Sequence, residues 1–196
     1  MKREDQRIKV TKILIRDAFI ELIKQKSVDK ITVKELCNLA SINRGTFYTH
    51  YQDIFDLYNK VKEDFLVSFK ESIEPIIESS KKDNLTSVEF IQSILTALEN
   101  NKDIVSALVS QRNDDQFINS LVDIGREAVN LTYPKLFQIK TSVDLEYFYT
   151  FISGGSVSIL LNWITSNMKE PAIKIATILN ELIKASLMYF SKENLA

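Results

Sequence analysis

The chain has 196 residues, of which 45% are hydrophobic and 26% charged, and this composition suits one or two globular domains. Four Gly and three Pro leave little material for hairpin turns, and one Cys excludes an internal disulfide framework, so the composition favours helices in a reducing compartment. The net charge of −1 is divided unevenly: residues 1–52 contain 11 Lys and Arg against 6 Asp and Glu, the remainder 14 against 20. Such a basic beginning suits contact with phosphate groups.

The first predicted helix covers about residues 7–26 and has one apolar stripe at helical spacing. No apolar run follows the opening Met-Lys-Arg, so we expect a cytoplasmic protein without a secretory signal. Five cations lie in or before the first turns of this helix, where they either contact phosphate or form a solvated terminus: Lys2, Arg3, Arg7, Lys9 and Lys12.

Two short helices are predicted on either side of a break at residues 41–43. The first begins at Thr32, which with Glu35 makes the pattern of a capping box. The second begins at Asn43, a good N-cap residue. Helical spacing places Phe47 and Tyr51 on the inner side of this second helix.

The outer side of the second short helix is small and polar at its centre. It carries Gly45 and Thr49, flanked by Thr46 and Tyr48, and Arg44 lies in the first turn. A surface of this kind lets a helix enter the major groove of DNA. The two helices and their break therefore predict a helix-turn-helix that reads DNA.

Six further helices complete an all-α chain of about nine helices, with no predicted strand. A long helix capped by Asp53 covers about residues 54–79. The others lie near residues 87–99, 102–111, 115–133, 143–167 and 171–190. We predict a helix-turn-helix DNA-binding domain in residues 1–53 and a larger helical dimerisation and effector-binding domain in residues 54–196.

The predicted helix at residues 143–167 is apolar on nearly every side. Its small and polar residues argue against a membrane span, which needs about 20 predominantly apolar residues, and we expect no membrane partner. A helix that is apolar all round must be covered on both sides. We therefore expect a homodimer that uses this helix and the next one, with the candidate interface residues Tyr147, Phe151, Gly154, Ser158, Leu161, Ile175, Leu179 and Leu182.

The run LCNLASINRGTFYTHYQDIFDLY resembles the DNA-binding signature of TetR-type transcriptional regulators. The resemblance covers roughly residues 10–60. It implies a three-helix head with a helix-turn-helix and a larger helical body that dimerises and commonly holds an effector. The later run FISGGSVSILLNWITSNMKEPAIKIATILNELI is similar to the body of TetR-like regulators associated with dihydroxyacetone metabolism.

The resemblance also implies roles for individual residues of the helix-turn-helix. Thr32 and Lys34 meet phosphate at the start of the positioning helix. Arg44 and Gly45 contact base edges, whereas Thr46, Tyr48 and His50 hold the DNA backbone. The exposed Thr49 joins the predicted DNA-binding set from its place on the helix. The chain departs from the family pattern at Ile54, where the family commonly has a Lys that binds phosphate.

Six aromatic side chains of the predicted body are candidates for an effector pocket, although aromatic residues at helical spacing are more often core. They are Phe90, Phe117, Tyr133, Phe148, Phe151 and Trp163. The effector itself, a small molecule, is not identified by the sequence. His50 is the only histidine, and Cys37 is the only cysteine. We therefore predict no metal, no cofactor and no catalytic residues.

Three functions remain open at this stage. The first is a dimeric TetR-like repressor that binds a palindromic operator in double-stranded DNA and is released by an effector. The second is a helical protein-interaction module or co-regulator whose helix-turn-helix binds DNA weakly or not at all. The third is a helical enzyme, which lacks support because the chain has no Gly-rich phosphate loop and no nucleophile with a base.

Overall fold

The computed structural model describes residues 2–82, 87–111, 115–132 and 142–191. Within these ranges the regular structure is nine α-helices and one 3-10 turn, so the predicted all-α fold is confirmed. The 3-10 turn at Val28–Lys30 was not predicted. The helices are α1 Lys2–Ile23, α2 Val33–Leu39, α3 Arg44–Tyr48, α4 Ile54–Lys82, α5 Ser87–Glu99, α6 Lys102–Val109, α7 Asp115–Thr132, α8 Ser142–Thr165 and α9 Ala172–Ser191.

The chain forms two compact units. Unit 1 consists of Met1–Val67 and Asp103–Phe117, and unit 2 consists of Ser68–Lys102 and Ile118–Ala196. Helix α4 contributes to both. The domain boundary that the sequence predicts at residue 53 stays a prediction. Unit 1 extends beyond residue 53, because it also contains the first half of α4 and nearly all of α6.

The core of unit 1 is built on the apolar stripe of α1. The five residues of this stripe are buried, as their helical spacing predicts: Ile15, Ala18, Phe19, Leu22 and Ile23. Leu36 of α2, Phe47 of α3 and Leu57 of α4 are buried as well. Burying a large apolar side chain contributes about 1.5–3 kcal/mol, so these side chains hold the short helices α2 and α3, which are too short to be stable alone.

Gln111 attaches the chain after α6 to the end of α1. Its side-chain Nε2 donates to the carbonyl oxygens of Ile23 and Ala107, each at 3.2 Å. Its Oε1 accepts from the N–H of Val28 at 2.9 Å. The amide thus satisfies a carbonyl at the end of α1 and an N–H at the start of the 3-10 turn. A buried polar group of this kind is expected to be fully bonded.

Unit 2 contains α5, α8 and α9, with α9 packed against both of the others. Helix α8 ends in a turn where Asn167 and Met168 have φ of 61° and 46°. The N–H of Met168 donates to the carbonyl of Trp163 at 2.8 Å, which satisfies a carbonyl of the last turn. The indole N–H of Trp163 donates to the carbonyl of Glu170 at 2.7 Å and fixes the connection to α9.

Candidate nucleic-acid interface

The predicted caps set the positions of α2 and α3. The Thr32 hydroxyl accepts from the N–H of Glu35 at 3.3 Å, and the Asn43 side chain accepts from the N–H of Thr46 at 2.9 Å. The Glu35 carboxylate, predicted to reach back to the Thr32 N–H, instead pairs with Lys26 Nζ at 2.5 Å. Between the helices Ser41 has φ of 54°, a left-handed conformation that lets the chain turn sharply.

The two sides of α3 are those that helical spacing predicts. Phe47 and Tyr51 are buried, with ring centroids 5.7 Å apart. Tyr48 is 57% exposed, and its ring meets that of Phe47 edge-on at 5.4 Å. Arg44 is exposed and forms no ion pair with any residue that the structure describes. The outer side of α3 therefore offers a free guanidinium and a free phenol.

The hydroxyl groups on α3 differ in the protons they have available. Thr46 Oγ1 donates to Asn43 Oδ1 at 3.0 Å, and Thr49 Oγ1 donates to the Thr46 carbonyl at 2.7 Å. Both protons are used inside the helix, so these hydroxyls are placed to accept rather than to donate. Thr46 and His50 are half-buried, and Thr49 is exposed. A phosphate needs donors, and on this helix Tyr48 and Arg44 supply them.

Gly45 lies on the exposed side of α3 and leaves the helix backbone open to a close neighbour. A Cβ added there would meet only the Asn43 side-chain oxygen, at 3.4 Å, which is ordinary van der Waals contact. The protein's own packing therefore does not require glycine at this position. Thr32 and Lys34 at the start of α2 are both exposed as well.

The junction between α3 and α4 is closed by two carboxylates. Asp53 Oδ1 accepts from the N–H of Asp56 at 2.8 Å and caps α4, as predicted. Asp56 Oδ2 accepts from the N–H of Gln52 at 2.9 Å and from Lys60 Nζ at 3.0 Å, and these two bonds lower the pKa of Asp56. Lys60 Nζ also lies 5.3 Å from the centre of the Tyr51 ring. Ile54 is buried. It stands where the family that this sequence resembles commonly has a Lys.

Cys37 and Tyr51 are buried groups with raised pKa values. Burial raises the pKa of the Cys37 thiol, and the nearby charge of Arg44 partly offsets this. Burial also raises the pKa of the Tyr51 phenol, helped by the negative charges of Asp64 and Asp56 and opposed by Arg16. Both groups are therefore neutral at ordinary pH, which suits side chains packed in the core.

The aromatic residues predicted for an effector pocket lie in different surroundings. Phe90, Phe148 and Trp163 are buried in unit 2. Phe117 is buried in unit 1 with its ring 5.9 Å from that of Phe65. Phe151 is exposed on α8, and Tyr133 lies outside the described residues. Their role toward an effector stays a prediction.

The residues predicted for a dimer interface divide into an exposed and a buried set. Tyr147, Phe151, Gly154 and Ser158 are exposed along one side of α8, Leu161 is half-buried, and Leu182 is exposed on α9. Ile175 and Leu179 are buried in the core of unit 2. Helix α9 carries a further exposed apolar residue, Ile178, which lies one turn before Leu182. Helical spacing already places Ile178 on the apolar stripe of this helix together with Leu182, although Ile178 is not among the eight candidate interface residues.

The described part of the chain has neither a membrane-spanning helix nor a cluster of metal ligands. No helix there is long and apolar enough to cross a membrane. Nowhere in the same ranges do three or more His, Cys, Asp or Glu residues come together in a way that would hold a metal ion.

Comparisons with known proteins agree with the fold. A TetR-type family model described as a transcriptional regulator C-terminal region matches residues 86–185, about half of the chain. A TetR transcriptional regulator from Streptococcus agalactiae 2603V has a TM-score of 0.67 at 22% identity, with 92% of this chain and 97% of that one covered. The dihydroxyacetone kinase operon activator DhaS has a TM-score of 0.61 at 18% identity, over 92% and 97%. At these identities the two structures show the fold alone.

One curated relative matches the chain over a short stretch. It is the uncharacterized HTH-type transcriptional regulator YxbF of Bacillus subtilis strain 168, which is 34% identical over 50 residues. The match covers 26% of this chain and 13% of that protein. The family match over half of the chain carries the assignment, and the all-helical fold agrees with it. The chain belongs to the TetR family of transcriptional regulators.

Proposed function

We propose that this TetR-family regulator binds double-stranded DNA by inserting α3 into the major groove. The observation that carries the proposal is the outer side of α3, where Arg44 and Tyr48 offer unused donors around an exposed Gly45. Arg pairs with the O6 and N7 atoms of guanine through two hydrogen bonds, and this contact is the commonest specific one in the major groove. Tyr48 and, from α2, Thr32 and Lys34 contact the phosphate backbone and fix the register.

Gly45 lets the helix backbone approach the bases closely. Gly45→Ala places a Cβ in ordinary contact within the protein, and Ala is about 1 kcal/mol better than Gly in a helix. The variant is therefore expected to unfold at the same or a higher temperature while binding operator DNA about tenfold more weakly, a loss equivalent to about 1.4 kcal/mol. Calorimetry and fluorescence anisotropy measure the two effects separately. Wild-type affinity in this variant would argue against close approach at Gly45.

The regulator acts as a homodimer on a near-palindromic operator. Support comes from α8, where Tyr147 and Phe151 are exposed beside the small residues Gly154 and Ser158, and from Leu182 on α9. A Cβ added at Gly154 meets nothing within 4 Å in the single chain, so a second helix can approach closely there. Two copies related by a two-fold axis read two half-sites about one helical turn of DNA apart.

We further propose that the regulator is a cytoplasmic repressor and that an effector held in the body controls it. An effector acts only by binding the DNA-competent and the released states with different affinity. The aromatic residues of unit 2 are the candidates for contacting it. DhaS, which shares the fold, is named as an activator, and an activator role is therefore the alternative to repression. Reporter expression from the selected operator, measured with and without the protein, distinguishes the two.

Selection of bound sequences from random duplex DNA, using the purified full chain, tests binding, half-site spacing and symmetry together. The expected result is an enriched pair of inverted half-sites. If no sequence is enriched, the alternative of a protein-interaction module is favoured. Titration of salt separates the two functions further, because phosphate binding weakens steeply as salt rises.

A further inference from the structure

We infer that Lys9, Lys12 and Arg16 of α1 form a second phosphate-binding surface beside the helix-turn-helix, and that this surface takes the place of the α3–α4 junction, which offers no free cation. These three residues are called the α1 stripe below. The inference rests on the proposed DNA binding and specifies how the protein holds the backbone. Its partner is the phosphate backbone of the duplex, whatever the base sequence.

The α3–α4 junction is poorly suited to hold phosphate. Residues 45–59 contain no Lys or Arg, and Lys60 already pairs with Asp56. The N–H groups of Gln52 and Asp56 are occupied by carboxylate oxygens. A phosphate brought to this end of α4 would meet the Asp53 carboxylate and the Asp56–Lys60 pair, with neither a free cation nor these two N–H groups left to bind it.

The α1 stripe is a row of cations on one side of a single helix. Lys9, Lys12 and Arg16 follow a spacing of three and four residues, which places them one above the other on the helix surface. At 1.5 Å per residue the row is about 10 Å long. Lys9 and Lys12 are exposed and Arg16 is half-buried. None of the three pairs with an acidic side chain that the structure describes.

The other end of the first helical segment uses its cations differently. Lys24 pairs with Asp103 at 2.9 Å, and Lys26 pairs with Glu35 at 2.5 Å. These two charges are compensated inside unit 1. In the described part of this segment, the uncompensated positive charge therefore lies before these two residues, on Arg7 and the α1 stripe.

The α1 stripe lies on a helix that packs against the helix-turn-helix. Helix α1 contacts α2, and α2 contacts α3. All three helices belong to unit 1. The positive charge of Arg16 also acts on the buried Tyr51 phenol that follows α3, where it opposes the rise of the pKa.

A helix in the major groove lies between two phosphate backbones, and stable docking needs contacts to both. In the proposed complex, Thr32 and Lys34 at the start of α2 supply some of these contacts. The α1 stripe, on the helix that packs against α2, supplies further cations. Each neutralised phosphate contributes about 0.9 to the slope of log K against log salt, so the stripe has a measurable signature.

The test compares the double variant Lys9→Gln/Lys12→Gln with Lys60→Gln. Lys9 and Lys12 are the two exposed residues of the stripe, so the double variant is expected to fold as the wild type does. Fluorescence anisotropy of the full chain with selected operator and with random duplex is measured from low to high NaCl. We expect the double variant to lower the salt slope by roughly 2 and to weaken both duplexes by the same factor. Lys60→Gln is expected to keep the wild-type slope.

Three outcomes contradict this inference. An unchanged slope in the double variant overturns it while the proposed DNA binding stands. An equal fall of the slope in Lys60→Gln moves the anchor to the α3–α4 junction and overturns it as well. Absence of any complex with the wild-type chain overturns both the inference and the proposed function.

Discussion

Two surfaces of this protein expose aromatic side chains, and their surroundings differ. On α3, Tyr48 is 57% exposed and stands among polar groups and a glycine. On α8, Tyr147 and Phe151 are 70% and 69% exposed and lie one turn apart. Leu182 and Ile178 are exposed on α9, which packs against α8. The exposed fraction is similar in both places, so exposure alone does not tell which partner a surface takes.

The two surfaces differ in the residues that surround their exposed aromatic rings. An isolated aromatic with a free hydroxyl among donors suits a polar, hydrated partner such as DNA. Several apolar side chains exposed together, with small residues between them, suit a protein partner, since large exposed apolar patches mark such interfaces. We therefore propose that the α3 surface contacts nucleic acid and that the α8–α9 surface contacts a second copy of the chain.

The largest effect is expected from a charge in the α8–α9 surface. Phe151→Lys introduces a cation where two apolar surfaces meet, so the dimer is expected to dissociate. Since two linked half-site contacts exceed one by about 10²–10⁴ in affinity, operator binding should fall by at least about 100-fold. Sedimentation velocity gives the mass and anisotropy the affinity.

Val67→Lys is the matched control for Phe151→Lys, because Val67 is also exposed and apolar but lies on α4. We expect this control to remain dimeric and to bind the operator as the wild type does. A dimer that survives Phe151→Lys would remove the proposed distinction between the two surfaces.

The next effect concerns the ring and the hydroxyl of Tyr48. Tyr48→Ala removes both from an exposed position, so unfolding should change little while operator affinity falls by about 10- to 100-fold, equivalent to about 1–3 kcal/mol. Tyr48→Phe keeps the ring against Phe47 and removes only the donor. If the hydroxyl binds phosphate, the Phe variant loses most of the affinity that the Ala variant loses. Full affinity in both variants would argue against DNA contact at this side chain.

The α3 surface was largely predictable from sequence because its causes are local. The caps at Thr32 and Asn43 and the inward positions of Phe47 and Tyr51 depend on residues within four positions of each other. The α8–α9 surface depends on packing between distant segments. Helical spacing gives α9 an apolar side. Only the packing of α9 against α5 shows that Leu179 lies in the core of unit 2 and not at its surface.

Polar contacts over long sequence distances were also beyond sequence reasoning. Gln111 bonds to groups 83 and 88 residues away, and nothing near it in sequence indicates this. The pair of Asp56 and Lys60 is local, since the two residues lie four positions apart, but the sequence alone does not show that it forms and leaves the junction without a free cation. Charge can be counted in a sequence, but compensation of charge requires the fold.

Substitution of Gln111 is expected to destabilise unit 1, which carries the α3 surface, without changing the α8–α9 surface. Gln111→Leu leaves the N–H of Val28 and the carbonyl of Ile23 without their partner, which costs about 1–3 kcal/mol. All of these groups lie in unit 1 with α3. We expect a lower free energy of unfolding and faster hydrogen exchange at Val28, with the dimer mass unchanged. Lys24→Met, which removes an exposed ion pair, is expected to cost about 0–1 kcal/mol. Equal losses in the two variants would contradict a special role for Gln111.

The smallest expected effect is on stability and concerns two turns, one before α3 and one after α8. Ser41, before α3, and Asn167, after α8, both have positive φ and exposed side chains. A left-handed conformation costs most residues about 1–2 kcal/mol. The cost is smaller for Asn, because its side chain can form a hydrogen bond with the nearby backbone. Glycine relieves this strain but loses about 0.5–1 kcal/mol through the freedom of the unfolded chain.

Ser41→Gly should therefore gain up to about 1 kcal/mol of stability, whereas Asn167→Gly should change it little. Urea titration measures both, and operator affinity is expected to stay at the wild-type value in Ser41→Gly, because the turn keeps its shape. A loss of affinity with gained stability would show that the strained Ser41 sets the angle of α3. The accuracy of the α3 surface would then depend on strain in the turn as well as on its caps.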